Sequence, residues 1–261
     1  MTTSMSPPAT SSRPLAGRGA LITGGSRGIG RAITAELAAS GATVVFTYHT
    51  RSEAAETLVS EIAARGGRAA AVRLDLGDPD QVTAAFAAAD TVFQQGGVGL
   101  DILVANAGVF TSAPLAEAGI EEWNRVMAVN ARGTFLALQQ AAPRLRDGGR
   151  ILTLSTVGTH WPSPGEAIYA ASKAAVEQLT RVAAREFGHR GITANTLSLG
   201  PTDTDLLRSS AQPGALEAAA AMTALGRIGR PTDIADLVAL LVDPDNRWVT
   251  GQNIRADGGL T

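Results

Sequence analysis

The sequence predicts an α/β protein in which one doubly wound parallel sheet of about seven strands is covered by helices on both faces. Three observations carry this. Short apolar runs alternate with longer helical stretches from Gly19 to the C-terminus. The apolar runs are continuous rather than alternating, as expected of strands buried on both sides. A glycine-rich turn, Thr23-Gly24-Gly25-Ser26-Arg27-Gly28-Ile29-Gly30, joins the first run to the first helix.

Taken in order, 20–23 reads as a buried strand and 28–40 as a helix ending before Gly41. Residues 43–48 form a second strand, and 53–65 a helix stopped by Gly66-Gly67. A third strand spans 69–74, and a helix with proline in its first turn spans 79–95. The fourth strand is 100–105, followed by one long helix over 121–146 with a bend at Pro143. A fifth strand at 150–155, a helix at 167–188 and a sixth strand at 192–197 come next. The Ala-rich stretch 202–224 lacks a strand signal and is expected to be a lid at the carboxyl edge of the sheet. A helix at 231–242 and a strand at 252–256 close the chain. The expected organisation is a disordered Ser/Thr/Pro-rich tail over 1–14 and a single domain over 15–261.

Composition narrows the function. The chain has 261 residues, 45% hydrophobic and 18% charged, with a net charge of −2, so no global pull toward nucleic acid or membrane is expected. The absence of cysteine excludes disulfide, thiol and thiolate-metal chemistry and suits a cytoplasmic protein. Only His49, His160 and His189 are present, and no two have the spacing of a helical zinc site, so no metal is expected. Neither a secretion signal nor a membrane span is legible.

The glycine turn suits a dinucleotide. Small residues let the backbone approach a pyrophosphate, and the helix N-terminus offers free N–H groups and partial positive charge. The spacing is G-x-x-x-G-x-G, from Gly24 through Gly28 to Gly30, with Ser26, Arg27 and Ile29 between them. An NAD binder places an acid at the end of its second strand. Here that strand ends at Tyr48, and His49-Thr50-Arg51 follow. Arg27 and Arg51 are suited to a ribose 2′-phosphate, which points to NADPH/NADP+. The plainer readings are an ordinary structural turn and two solvated arginines.

Downstream, Tyr169 and Lys173 stand four apart in Tyr-Ala-Ala-Ser-Lys, which puts both on one helix face. A phenol beside an ammonium can pass a proton to a carbonyl oxygen, because the cation stabilises phenolate and lowers a pKa that is ordinarily about 10. Alone, the pair reads equally as an amphipathic helix surface. Ser155, at a strand end fourteen residues upstream of Tyr169, supplies a hydroxyl for the carbonyl. Thr156 also carries a hydroxyl, and the segment Trp161-Pro162-Ser163-Pro164-Gly165 favours the longer gap from Ser155.

Together these motifs resemble the short-chain dehydrogenase/reductase superfamily, in particular its NADP-preferring group that includes 3-oxoacyl-carrier-protein reductases. The resemblance runs from about Gly17 to the C-terminus. It implies a Rossmann-type fold and adds residues to the site. Asp75-Leu76 would contact adenine, and Asn106-Ala107-Gly108 would line the cofactor. Gly200, Thr202 and Thr204, within Asn195 to Thr204, would form the nicotinamide-side loop, where Leu199 replaces the usual proline. Lys173 would hold the nicotinamide ribose, and Asn130, in Val-Asn-Ala-Arg-Gly, would anchor a water chain to that lysine. The implied activity is reduction of a small-molecule ketone to a secondary alcohol, with Tyr169 as general acid, in a homotetramer. Carrier-bound substrates would need a basic patch, for which Arg144, Arg146 and Arg190 are the candidates, interrupted by Asp147-Gly148-Gly149. A non-catalytic NADP-binding regulatory protein is the alternative of different class.

Overall fold

Seven parallel strands make one sheet: β1 (Gly19–Thr23), β2 (Thr43–Tyr48), β3 (Arg68–Arg73), β4 (Leu100–Ala105), β5 (Leu145–Thr156), β6 (Thr193–Leu199) and β7 (Asn253–Ala256). Their order is β3-β2-β1-β4-β5-β6-β7. The order reverses between β1 and β4, and in such sheets ligands bind outside the strand carboxyl ends at that point. The computed structural model describes residues 13–210 and 214–261. Most of the segment expected to be a disordered tail, and 211–213 of the expected lid, lie outside the described residues.

Helices α1 (Gly28–Ala39), α2 (Ser52–Ala64) and α9 (Pro231–Val242) supply Ile33, Leu37, Leu58, Ile234 and Val238 to the apolar layer on one face. Helices α3 (Pro79–Gln95), α5 (Gly133–Ala141) and α6 (Ala167–Phe187) supply Val82, Phe86, Ala137, Leu138 and Ala183 to the other. Along β1, Ala20 and Ile22 point into the first layer and Leu21 into the second. That two-sided burial is why the strands read as continuous apolar runs.

The expected helix over 121–146 is a correction. It divides into α4 (Ile120–Val126), a π-helical turn (Met127–Arg132) and α5, and it ends at Ala141 without passing through Pro143. Ala142 still has helical backbone (φ −49°, ψ −51°) and bonds to the Leu138 carbonyl, but Pro143 has no N–H to continue the ladder, and the chain turns into β5, which starts at Leu145 opposite Leu100 of β4. Within the expected lid lie α7 (Asp205–Ser210) and α8 (Ala215–Met222). Among the described residues no helix is long and apolar enough to cross a membrane.

The arginines expected to form a basic patch are engaged within the fold. Arg144 Nε donates to Asp90 at 2.8 Å, Arg146 Nε to Asp101 at 2.8 Å, and Arg190 Nε to Asp147 at 2.9 Å. Paired guanidinium groups present little net field to an acidic partner.

Candidate active site

At the switch point the turn after β1 is built for close backbone approach. Gly24 (φ +68°) and Gly28 (φ +51°) adopt backbone conformations that other residues rarely take. A Cβ on Gly30 would stand 2.1 Å from the Gly24 carbonyl oxygen and 2.5 Å from Asn106 Nδ2. Asn106 pins the turn, donating from Nδ2 to the carbonyls of Thr23 (2.9 Å) and Gly24 (3.0 Å). Thr47 of β2 accepts from the Gly24 N–H through Oγ1 at 3.1 Å. α1 opens without a side-chain cap and without an acidic residue in its first turn. Its unsatisfied N–H groups therefore face a cradle suited to a pyrophosphate, which the chemistry of these residues fits.

The turn forms one end of a cleft of about 520 Å³. Gly24, Ser26, Arg27, Gly28, Ile29 and Gly30 line it, together with Tyr48, Arg51, Asp75, Leu76, Asn106, Ala107 and Gly108. The reacting end carries Ser155, Tyr169 and Lys173. The end of β6 contributes Leu199 to the wall, and the loop after it Thr204. Gly200 and Thr202 instead shape that loop: Gly200 N–H donates to the Ala256 carbonyl at 3.0 Å, and Thr202 Oγ1 donates to the Gly200 carbonyl at 3.0 Å. Close packing explains the glycine, since a Cβ there would come within 2.7 Å of Asp257 Cα.

At the expected 2′-phosphate end, Arg27, His49, Thr50 and Arg51 line the wall. Two acids reach the same region from elsewhere in the chain: Asp205 of α7 sits 3.3 Å from Arg51, and Asp75 sits 3.7 Å from His49 Nε2. The end of β2 itself supplies no carboxylate.

Asn130 is fully buried in the π-helical turn. Such turns widen a helix by one residue and often occur at functional sites. Its Oδ1 accepts from the Val109 N–H at 2.8 Å, and its Nδ2 donates to the Val109 carbonyl (2.9 Å) and to Ser172 Oγ (3.0 Å). Asn130 thereby ties the segment after β4 to α6. Its amide and the Lys173 ammonium approach the same glycine, each 3.2 Å from where a Gly108 Cβ would lie.

Lys173 Nζ donates to the Leu154 carbonyl at 2.9 Å and is 6.0 Å from the centre of the Tyr169 ring. Burial pulls this lysine down to about 8. Burial also pushes Tyr169 up to about 12, and the Glu166 carboxylate acts in the same direction. This corrects the expectation of a phenol made more acidic by the neighbouring cation. Desolvation of phenolate is the larger cause, and the Glu166 charge adds to it. Phe110 packs edge-on to Tyr169, with ring centres 5.0 Å apart.

Ser155 faces the cleft from the end of β5, and its Oγ donates at 2.7 Å to Glu177 Oε1. Thr156, the alternative hydroxyl, is turned to its own chain and accepts from the Gly158 N–H at 3.1 Å. Sequence reasoning missed Glu177, Ser172 and Thr47. For Glu177 a signal existed, because it continues the four-residue spacing from Tyr169 and Lys173 along one face of α6.

A family profile described as enoyl-(acyl carrier protein) reductase matches residues 24–261. The chain is 40% identical over 260 residues to a hydroxynaphthalene reductase-like protein of Metarhizium majus, covering 95% of this chain and 96% of the other. It is 45% identical to a dehydrogenase/reductase of Sinorhizobium meliloti of known structure, with a TM-score of 0.89 and coverage of 96% and 97%. A short-chain dehydrogenase of Burkholderia cenocepacia, solved in complex with NADP, is 41% identical, with a TM-score of 0.88 and coverage of 95% and 99%.

Proposed function

This chain belongs to the short-chain dehydrogenase/reductase superfamily, and on that premise we propose that it is an NADPH-dependent carbonyl reductase that converts a ketone to a secondary alcohol. The observation that carries the reading is that Ser155, Tyr169 and Lys173 share one cleft with the glycine turn of α1. Arg27 and Arg51 favour the 2′-phosphate form of the cofactor, and the NADP complex of the Burkholderia relative supports that choice.

When bound, the reduced nicotinamide supplies hydride to the carbonyl carbon. The chain's residues handle the oxygen. Tyr169 gives its phenolic proton to the carbonyl oxygen as negative charge develops there. Burial keeps the phenol protonated at neutral pH, and the negative charge developing on the carbonyl oxygen draws the proton off. Lys173, at about 8, remains cationic at neutral pH and stabilises the phenolate left behind. Asn130 fixes the loop and helix that meet at Gly108. Gly24, Gly28 and Gly30, with Ser26 and Ile29, seat the pyrophosphate. Tyr48, Asp75 and Leu76 border the adenosine half, and Asn106, Ala107, Gly108 and Thr204 the remainder.

The substrate is an apolar ketone. Val109, Leu154, Leu199 and Leu206 give the cleft an apolar lining, and the name of the Metarhizium relative points to an aromatic one. The internally paired Arg144, Arg146 and Arg190 weigh against an acidic carrier protein. Asp205 and Leu206 of α7 line the cleft, which supports a lid role for α7. Exposed Ile120, Trp123, Phe135 and Val182 on α4, α5 and α6 support assembly into a homotetramer. Light scattering tests that assembly, and a monomer refutes it.

The activity is tested by following NADPH absorbance with a panel of activated and aromatic ketones, NADH being run in parallel. Turnover with NADPH exceeding that with NADH is expected. Tight NADPH binding without turnover on any ketone would leave a nucleotide-binding regulatory protein as the better reading.

A further inference from the structure

One carboxylate beside the reacting end finds no partner among the described residues. Glu166 is the N-cap residue of α6, and Tyr169 is the third residue of that helix. Side chains three apart on a helix are neighbours, about 5–6 Å apart at Cβ. Glu166 is half-buried, and its charge acts on the Tyr169 phenol. An N-cap side chain ordinarily accepts from an N–H of the first turn, but Glu166 makes no such bond. Burial pushes its carboxyl up from the ordinary value, and no hydrogen bond or cation acts against that shift.

The donors around it are engaged elsewhere. The Gly158 N–H donates to Thr156 Oγ1 at 3.1 Å, and Thr159 Oγ1 lies 2.7 Å from Glu177 and 3.0 Å from the Thr156 carbonyl. Gly158 leaves room at the carboxylate, since a Cβ there would stand 3.1 Å from Glu166 Oε2. The backbone that carries Glu166 is held from several sides. Its N–H donates to the Ser163 carbonyl at 3.2 Å, and its carbonyl accepts from the Ala170 N–H at 2.8 Å. The Gly165 carbonyl accepts from the Ala113 N–H at 2.9 Å, which ties this segment to the loop after β4.

A substrate whose carbonyl meets Tyr169 displaces solvent from the neighbouring carboxylate. An apolar group placed there leaves the carboxylate with nothing in return for its lost hydration. A hydroxyl or an ammonium replaces that hydration with a charge-assisted hydrogen bond. Sites of this kind discriminate strongly against analogues that lack the donor.

We propose that Glu166 is a specificity-determining residue that selects ketones carrying a hydrogen-bond donor, a hydroxyl or an ammonium, on an otherwise apolar frame. The inference rests on the carbonyl-reductase reading and deepens it by naming the substrate class.

The test uses two ketone frames, cyclohexanone and tetralone, each bearing a methyl, a hydroxyl or an aminomethyl group on the ring carbon farthest from the carbonyl. NADPH oxidation at neutral pH gives kcat/KM for the full-length wild type, Glu166→Gln and Glu166→Leu. Each donor ketone is expressed relative to the methyl ketone of the same frame. That ratio cancels any effect of Glu166 on Tyr169, which both substrates share. On at least one frame the wild-type ratio is expected to reach about tenfold. Glu166→Gln keeps an acceptor oxygen without the charge and should lower the ammonium ratio about tenfold and the hydroxyl ratio about two- to threefold. Glu166→Leu should erase the preference for both. The substituent with the larger wild-type ratio tells hydroxyl from ammonium. No wild-type preference for a donor on either frame, or a preference that both variants retain, would overturn the proposal. If the leucine variant does not fold, the ratios in Glu166→Gln decide. Wild-type protein that turns over none of the ketones defeats the carbonyl-reductase reading itself, a result distinct from an active enzyme indifferent to the donor.

Discussion

The Lys173 ammonium nitrogen lies 6.0 Å from the centre of the Tyr169 ring while donating its hydrogen bond to the Leu154 carbonyl. The two groups share a wall of one cleft, and burial shifts both away from their charged forms: the phenol is pushed up to about 12 and the ammonium pulled down to about 8. Each shift favours a neutral side chain.

Lys173 therefore links stability to pH. Between about 8 and its ordinary 10.5, the unfolded chain holds the lysine proton more often than the folded one, so this site's contribution to stability rises with pH across that window. The full change is on the order of 3 kcal/mol. Thermal melts of wild type and Lys173→Met between pH 7 and 9.5 should show the wild type gaining on the variant as pH rises. Staying below pH 10 avoids Tyr169, whose raised value makes stability fall with pH between 10 and about 12. A pH-independent difference would contradict the burial argument.

Replacing Tyr169 with Phe removes the proton donor and keeps the ring that meets Phe110 edge-on. Turnover should drop by about 10²- to 10⁴-fold, the usual worth of a positioned acid. NADPH affinity, measured by fluorescence titration, should stay within a few-fold of wild type. Retained turnover would take Tyr169 out of the mechanism.

A methyl group on Gly30 would collide with the Gly24 carbonyl at 2.1 Å. Backbone atoms cannot step aside as a flexible side chain can. Gly30→Ala should cost about 1–3 kcal/mol of stability and abolish NADPH binding by distorting the turn. Calorimetric unfolding and cofactor titration check the two effects separately.

Arg51 stands on the cleft wall within 3.3 Å of Asp205. If it meets the 2′-phosphate, Arg51→Ala should raise the KM for NADPH about tenfold or more, as expected for loss of a charge-assisted hydrogen bond. The KM for NADH, which lacks that phosphate, should barely move. A parallel rise with both cofactors would point to a structural role for the arginine.

Much of the fold was legible because its signals are local. The apolar runs of β2 and β4 and the Pro-headed α3 fall where the sequence puts them, at Thr43–Tyr48, Leu100–Ala105 and Pro79–Gln95. The stretch before Pro143 was not legible. Its helical periodicity carries neither the π-helical turn that buries Asn130 nor the start of β5, since Leu145 becomes a strand residue only by pairing with Leu100. In the site, the order of Gly24, Gly28, Gly30, Ser155, Tyr169 and Lys173 could be read directly. Asp205 was hidden by 154 residues of separation from Arg51; the spacing along α6 marks Glu177, but not its partners Ser155 and Thr159, which lie on β5 and in the turn after it.

The amino-acid order alone determined the strand–helix alternation, the glycine turn and the Tyr169–Lys173 face, because these depend on residue type and spacing along one element. Only the tertiary structure decided how acidic Tyr169 is and which acid stands behind Ser155. Both depend on desolvation and on which polar groups from distant elements meet in the same low-dielectric space, and spacing within one helix carries no information about that.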